Sequence, residues 1–213
     1  MRRYILFSVL LCFVNFHSLV AQTTLPDFGA YSTEELSMTE CAMDKDAEAV
    51  ILLDQANSYY DDNYQLITER RVRIKILNQR GIDRGSIRIP FYSKDGFEVI
   101  KKVEAMSFTP GDKDFSKVSR KSIFTEKEDD RYSTIKFAIP NVKTGSIIEY
   151  RYTSVMKNYG GLDKWLFQSD IPTLKSCYRL EVLPNCDFSY VITKKAYYDI
   201  LIVPPHDDGI VYF

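Results

Sequence analysis

The sequence has 213 residues, of which 45% are apolar and 27% are charged, a composition typical of a folded chain and not of a disordered or fibrous one. Its 28 basic and 29 acidic residues give a net charge of −1, which argues against nucleic acid as a partner and against a polybasic anchor for anionic lipids. Aromatic residues make up 14% of the chain and favour pleated, half-buried surfaces. The composition therefore favours an all-β domain.

The first 21 residues have the pattern of a secretory signal peptide. Arg2 and Arg3 precede an apolar run over residues 5–14, and Ala21 offers a cleavage site before Gln22. The run is about half of the roughly 20 residues that a membrane-spanning helix needs. We therefore expect an exported protein, periplasmic or extracellular, with no integral membrane segment after signal removal. Loss of the two arginines leaves 26 basic and 29 acidic residues, a net charge of −3.

The cysteine content does not indicate a disulfide scaffold. The chain after cleavage would keep three cysteines, an odd number: Cys41, Cys177 and Cys186. A bond between Cys177 and Cys186 is not expected, because Cys186 follows the turn at Pro184 and Asn185 while Cys177 lies far up the preceding strand.

The lead-in segment over residues 22–46 contains one helix signal. Ser32 and Glu35 have the spacing of a capping box, in which each side chain accepts a hydrogen bond from the other residue's backbone N–H. This spacing predicts at most one short helix near residues 32–36.

A β-hairpin is predicted next, from strands over residues 47–60 and 64–78 that flank the turn Asp61-Asp62-Asn63. In the second strand, apolar and basic residues alternate: Val72, Ile74 and Ile76 with Arg71, Arg73 and Lys75. A period of two is typical of a sheet that is buried on one face only. We therefore expect the apolar set to be buried and the basic set to be exposed.

Further strands follow at short intervals, separated by turns rich in Pro, Gly and Asn. They are predicted over residues 86–91, 97–108, 115–124, 131–139, 146–156, 177–183, 188–193, 200–203 and 210–213. Glu149 and Arg151 are expected to face water. This pattern predicts an all-β, antiparallel β-sandwich-like domain over residues 47–213. The apolar run at residues 210–213 is expected to form an incomplete or edge strand of a domain that is truncated at its C-terminal end.

Cys177, His206 and Asp207 or Asp208 are the one set that resembles a catalytic centre, in the order found in papain-like enzymes. A reactive thiolate needs a lowered pKa, but Cys177 lies in an alternating strand and His206 follows two prolines in a predicted loop. We therefore expect a stray thiol and a surface imidazole, and no catalytic residue.

No metal or cofactor site is expected either. The acidic turns lack the spacing of a calcium loop, zinc lacks ligands, and there is no Gly-rich phosphate loop. Two tyrosine pairs, Tyr59-Tyr60 and Tyr197-Tyr198, could suggest a carbohydrate platform. Adjacent residues of a strand point to opposite faces, so packing in the core is the favoured interpretation.

Four stretches carry a resemblance to a known family. They are AEAVILLD at 47–54, RIKILN at 73–78 with Gly81, KFAIPNVK and GSIIEYRY within 136–152, and WLFQ at 165–168 with Ile171 and Pro172. The chain resembles the domain of unknown function 3857, the N-terminal domain of many exported bacterial transglutaminase-like proteins. The resemblance implies a β-sandwich-like domain ahead of a papain-like Cys-His-Asp domain, which would begin beyond Phe213. It implies no catalytic residue in this chain.

These observations lead to one main functional hypothesis and two alternatives. The main hypothesis is a non-catalytic exported β-domain that supports or positions a C-terminal or adjacent transglutaminase-like domain. The first alternative is a free-standing periplasmic or extracellular module that binds peptide or glycan. The second is an enzyme that uses Cys177.

Overall fold

The structure is a computed structural model that describes residues 26–157, 164–183, 191, 193 and 210–212. The predicted signal peptide, Cys186 and the catalytic candidates His206, Asp207 and Asp208 lie outside the described residues. So do the tyrosine pair at 197–198, the strand predicted over 200–203 and most of the one over 188–193.

The described chain forms one α-helix, three short 3-10 helices and ten strands. The α-helix, α1, spans Thr33–Ser37, and the 3-10 helices span Gln79–Gly85, Lys94–Gly96 and Arg120–Ser122. The strands are β1 (Ala49–Tyr60), β2 (Leu66–Ile76), β3 (Ser86–Tyr92), β4 (Glu98–Phe108), β5 (Ser116–Lys117), β6 (Phe124–Lys127), β7 (Tyr132–Ala138), β8 (Ile147–Met156), β9 (Ser176–Glu181) and β10 (Ile210–Tyr212). The predicted all-β class is confirmed.

The strands form two sheets. The large sheet has the order β10-β9-β1-β2-β8-β4-β5, and the small sheet has the order β3-β7-β6. Neighbouring strands run antiparallel, except that β1 and β9 pair in parallel. Among the described residues, β10 pairs with β9 at one end of the large sheet.

The predicted short helix and the predicted hairpin are both present. Ser32 caps α1: its Oγ accepts from the Glu35 N–H at 3.2 Å, and a Glu35 carboxylate oxygen accepts from the Ser32 N–H at 2.8 Å. The turn between β1 and β2 is closed by the Asp61 carboxylate, which accepts from the N–H groups of Asn63 and Gln65. Short polar side chains thus set both local structures, as the sequence pattern indicates.

The space between the two sheets holds the main core, and we call the side of the large sheet that faces it the inner face. Thirteen buried residues form this core: Ala49, Ile51, Val72, Ile74, Ile76, Ile87, Ile89, Ala105, Ile135, Phe137, Ile139, Ile148 and Ile171. Eleven of them lie on strands of the two sheets, as expected for a sandwich, and Ile139 and Ile171 lie on segments next to the strands. The predicted burial of Val72, Ile74 and Ile76 is confirmed.

The opposite side of the large sheet, the outer face, is covered in its central part by the N-terminal segment, residues 26–47. A second apolar cluster lies there and consists of Cys41, Ala47, Val50, Leu52 and Ile147, with Tyr31, Leu36, Met38 and Leu77 packed against it. The large sheet is therefore buried on both faces near its centre.

Because of this cover, two predictions of exposed side chains are wrong. Arg73 and Lys75 are buried, with exposed fractions of 0% and 1%, and Arg71 is half-buried. Glu149, also expected to face water, has an exposed fraction of 0%, whereas Arg151 is exposed as predicted. The reason is that alternation reports which side chains share a face, and says nothing of whether a distant segment covers that face.

Candidate functional site

The most distinctive feature of the outer face is a cluster of buried charges around Glu149. This residue lies on β8 directly opposite Arg73 of β2. Glu149 Oε1 accepts from Arg71 Nε at 2.6 Å and from Arg73 Nε at 3.1 Å. Glu149 Oε2 accepts from the backbone N–H of Gly29 at 2.8 Å. One carboxylate therefore joins two strands of the sheet to the N-terminal segment.

The N-terminal segment and the turn before β8 supply the remaining partners of the buried cations. Both carboxylate oxygens of Glu35 accept from Arg73 Nη1 at 2.8 Å, and Lys75 Nζ donates to the carbonyls of Leu36 and Gly145, each at 2.8 Å. Buried ions need such partners, because burial without them is strongly unfavourable. The capping box places Glu35 for this contact, so the local helix signal also serves the tertiary structure.

The pKa values of these cations follow from burial and pairing. Burial opposes the charge of Arg73, but its hydrogen bond with Glu35 and the attraction of Glu149 outweigh burial and raise its pKa. Burial lowers the pKa of Lys75, and the charge of Glu35 partly offsets this effect. The partners of both cations are already part of the fold, so the cluster is suited to holding the N-terminal segment in place.

Next to this cluster the outer face is open, and here the sheet forms a depression of about 550 Å³. Nine side chains of the outer face line it: Gln55, Asn57, Glu69, Arg71, Lys102, Glu104, Arg151, Thr153 and Arg179. Phe28 lies at its border, with the guanidinium carbons of Arg151 and Arg71 at 4.4 Å and 5.8 Å from its ring centroid. The depression is thus a polar surface, rich in arginine, that is bounded by the N-terminal segment.

The geometry of β4 brings Lys102 to the depression. The pairing of β4 with β8 shifts register between Lys101 and Glu104, and Lys102 has a φ of +52°. Such a bulge re-aims the side chains beside it, and a positive φ is uncommon for a residue other than glycine. Arg151 is held beside it by two hydrogen bonds with Glu104 Oε2, at 2.9 and 2.6 Å.

A third polar cluster lies on the inner face and holds residues 164–175 against the sheet. The Trp165 ring packs between Tyr178, at 5.1 Å between centroids, and Arg70, whose guanidinium carbon is 4.9 Å from the ring. Arg70 forms two hydrogen bonds with Asp54, at 3.0 and 2.8 Å, and Trp165 Nε1 donates to Ser176 Oγ at 3.0 Å. These contacts hold residues 164–175 on the inner face of the large sheet, so the role of the cluster is structural.

Of the predicted Cys-His-Asp set, only Cys177 lies within the described residues. It is a free, half-buried thiol on β9, on the same face as Gln55 of β1, with which it is in register. Burial raises the pKa of Cys177, the nearby positive charge of Lys175 lowers it, and burial prevails. A raised pKa leaves less thiolate at neutral pH, the opposite of what a cysteine nucleophile needs.

The other candidates from the sequence stand as follows. Tyr59 and Tyr60 are both half-buried at the end of β1. Within the described ranges, no group of three or more His, Cys, Asp or Glu side chains is placed to hold a metal ion. No helix in the same part of the chain is long and apolar enough to cross a membrane.

Sequence reasoning missed both the buried cluster and the depression. One pattern pointed to the cluster: three cations alternate along one face of β2, and Glu149 is the acid on the paired strand. No comparable sequence pattern indicates the depression, because its residues come from five strands spread between Gln55 and Arg179.

Comparison with known proteins relates this fold to a larger protein. A crystal structure of a putative protease from Parabacteroides distasonis ATCC 8503 is similar to this chain, with a TM-score of 0.58 and 12% sequence identity. The similarity covers 78% of this chain and 34% of that one, so this chain spans about a third of the length of that protein. At this identity the likeness concerns the fold alone.

Sequence comparison supplies the family. No curated protein matches the chain. The model of DUF3857, a domain of unknown function with a solved structure, matches residues 62–200, about two thirds of the chain. The match begins in the turn between β1 and β2 and continues beyond β9. This chain belongs to the DUF3857 family.

Proposed function

We propose that this chain is a non-catalytic exported β-domain that supports or positions a transglutaminase-like domain absent from it. The observation that carries the proposal is the partial match to the Parabacteroides protein, in which this fold makes up 34% of a longer putative protease. Because the similar fold is only about a third of that longer protein, we infer that such a domain acts together with a neighbouring domain.

The use of polar groups within the domain supports the same role. Glu149, Glu35 and Asp54 are bound to arginines in fixed geometry, and the thiol of Cys177 has a raised pKa. A positioning domain needs a rigid body and exposed surfaces more than reactive groups. The strong internal pairing of this domain provides that rigidity.

The positioning role is tested first by the DNA that follows the coding region of residue 213. We expect an in-frame continuation, or an adjacent reading frame, with a Cys-His-Asp set. The longer protein would then be compared with its transglutaminase-like domain alone, in thermal midpoint and in hydrolysis of a peptide substrate. A lower midpoint or lower activity of the isolated domain is expected, and identical values would contradict the proposal.

Export is a separate part of the proposal and has its own test. The full chain would be expressed in a Gram-negative host, and the protein recovered from the periplasm and medium would be analysed by intact-mass spectrometry. We expect a chain that begins at Gln22. Recovery only from the cytoplasm, with residues 1–21 retained, would contradict export.

A second candidate function, a free-standing binding module, is favoured by one observation, the open depression on the outer face. A peptide and glycan array probed with residues 22–213 tests it. Binding that disappears when the depression is altered would support this function, and uniform absence of binding would end it.

A further inference from the structure

The open depression extends across five neighbouring strands in the order β9-β1-β2-β8-β4. Arg179 lies on the first of these strands and Lys102 on the last. Four steps between strands of roughly 4.8 Å place the two strands about 19 Å apart. An extended peptide advances about 3.3 Å per residue, so the depression accommodates about six residues that cross the strands.

The charges of the depression are arranged along this direction. Cations lie at both ends and in the middle, at Arg179, Arg71, Arg151 and Lys102, and the lining acids are Glu69 and Glu104. The lining itself has four cations and two acids, and a third acid, Glu181, pairs with Arg179 at 3.5 Å, so an excess of one positive charge is left. Glu149, the partner of Arg71, is balanced by the buried Arg73. In a chain with a net charge of −1, this is a local reversal of sign. Such a surface attracts a negatively charged partner.

Three of these cations are fixed in advance of any partner. Arg179 donates to Asn57 Oδ1 at 2.6 Å, and its Nη2 lies 3.5 Å from Glu181 Oε2. Arg71 is held by Glu149 and by the Asp27 carbonyl at 2.8 Å, and Arg151 is held by Glu104 and stacks on Phe28. Lys102 is exposed and has no hydrogen-bond or ion-pair partner among the described residues. Fixed guanidinium groups beside an unpaired ammonium reduce the ordering cost of binding carboxylates.

We propose that this depression binds an extended acidic peptide segment of another protein. In such a segment, alternate side chains lie on one face about 7 Å apart, which brings successive carboxylates to the spaced cations. The amide of Gln55 offers hydrogen bonds to the peptide backbone, and so does the NH2 group of Asn57, whose Oδ1 already accepts from Arg179. A glycan fits less well, because sugar rings pack on free aromatic faces, and the ring of Phe28 at the border of the depression is already stacked against Arg151. The inference rests on the second candidate function, binding at this depression, and does not depend on the proposed transglutaminase-like neighbour.

The test is a titration of residues 22–213 with a fluorescein-labelled hexaglutamate peptide, followed by fluorescence anisotropy at about 50 mM salt, where screening is weak. The matched peptide is hexaglutamine. The main variant is Lys102→Glu, with Arg179→Gln as a second variant at the other end of the depression. The control is Lys121→Glu, an exposed lysine of the turn between β5 and β6 that lies outside the depression. Thermal midpoints establish that each variant is folded.

We expect hexaglutamate to bind and hexaglutamine not to bind. Lys102→Glu should weaken binding about tenfold, and Arg179→Gln should weaken it by a smaller factor. Lys121→Glu should leave binding unchanged, and added salt should weaken binding of the wild type. Equal binding of both peptides, equal effects of Lys102→Glu and Lys121→Glu, or no binding at all would overturn the proposal. So would a clear preference for an oligogalacturonate or an oligonucleotide over hexaglutamate.

Discussion

Ile74 and Arg73 are neighbours on β2, and both are buried, but on opposite faces of the large sheet and through different interactions. Ile74 packs on the inner face among apolar residues of two sheets. Arg73 lies on the outer face, where its charge is matched by Glu149 and Glu35. The inner face is thus stabilised by removal of apolar surface from water, whereas burial of the outer-face charges depends on particular partner atoms.

The two faces should therefore respond differently to substitution. An apolar core tolerates changes that keep its volume, and its loss of stability scales with the atoms removed. A buried ion pair responds much more strongly when one partner is lost, because the other charge remains buried without compensation. Variants on the two faces test this difference.

The largest effect is expected for Glu149→Gln. This change keeps the size of the side chain but removes the charge that Arg71 and Arg73 share, and we expect a loss of roughly 3–5 kcal/mol in the free energy of unfolding. Urea denaturation measures it. The control is Glu104→Gln, which removes the exposed partner of Arg151 and should cost about 0–1 kcal/mol. Similar losses in the two variants would contradict the special role of the buried pair.

Ile74→Ala tests the inner face. The residue is buried with an exposed fraction of 7%, so its truncation should cost roughly 2–5 kcal/mol through lost burial and a residual cavity. Val99→Ala on β4, where the side chain is exposed, should change stability by less than about 0.5 kcal/mol. An unchanged denaturation midpoint for Ile74→Ala would refute the assignment of this face to the core.

A smaller effect is expected from Ser32→Ala, which removes the side-chain cap of α1. Loss of such a cap costs about 0.5–2 kcal/mol, and here it should also loosen Glu35, the partner of Arg73. Hydrogen exchange of the α1 amides should accelerate more than exchange in β2. Ser37→Ala, at the exposed end of the same helix, is the control and should leave both rates nearly unchanged.

The smallest effect at neutral pH is expected from Tyr31→Phe. The Tyr31 hydroxyl is buried near Glu149 and, within the described part of the chain, has no partner at normal hydrogen-bond geometry, while its ring lies 4.6 Å from the guanidinium carbon of Arg73. Phenylalanine keeps the ring, so stability at pH 7 should change by less than about 1 kcal/mol. A loss of several kcal/mol would show that the hydroxyl has a bonded partner.

The same variant has a defined pH dependence. Burial, and next the negative charge of Glu149, raise the pKa of Tyr31 above its ordinary value near 10. As pH rises above about 10, the unfolded chain releases this proton and the folded chain retains it, so the folded state loses stability. Tyr31→Phe should lose less stability than the wild type between pH 10 and 11, and parallel curves for the two proteins would contradict the raised pKa.

What could be predicted from sequence was local. The capping box of Ser32 and Glu35 and the turn at Asp61 depend on residues a few positions apart, and both are present. The burial of Arg73 and Glu149 could not be predicted in this way, because Gly29, which bonds to Glu149, is 120 residues away along the chain. The alternation of residues within β2 cannot show that a different segment of the chain packs on one of its faces.

The same limit applies to the depression. Each of its residues lies on a strand whose existence was predicted, but the depression depends on the order of those strands in the sheet. The parallel neighbour of β1 is β9, from a distant part of the chain, and a simple succession of hairpins would not produce this order. Arg179 reaches the depression only through this pairing.

The parallel pairing of β1 with β9 also has a consequence for the order of folding events. Tyr178 donates to Ser58 Oγ across 120 residues of chain, so this side of β1 lacks its β9 partner until residues 176–180 have been made. Pairings between such distant segments slow folding, because a long loop must close before the contact forms. During that interval β1 presents unpaired backbone groups along one edge to other chains. We therefore expect refolding yields to fall steeply with protein concentration. A chaperone that binds unfolded chains and prevents their aggregation should restore the yields.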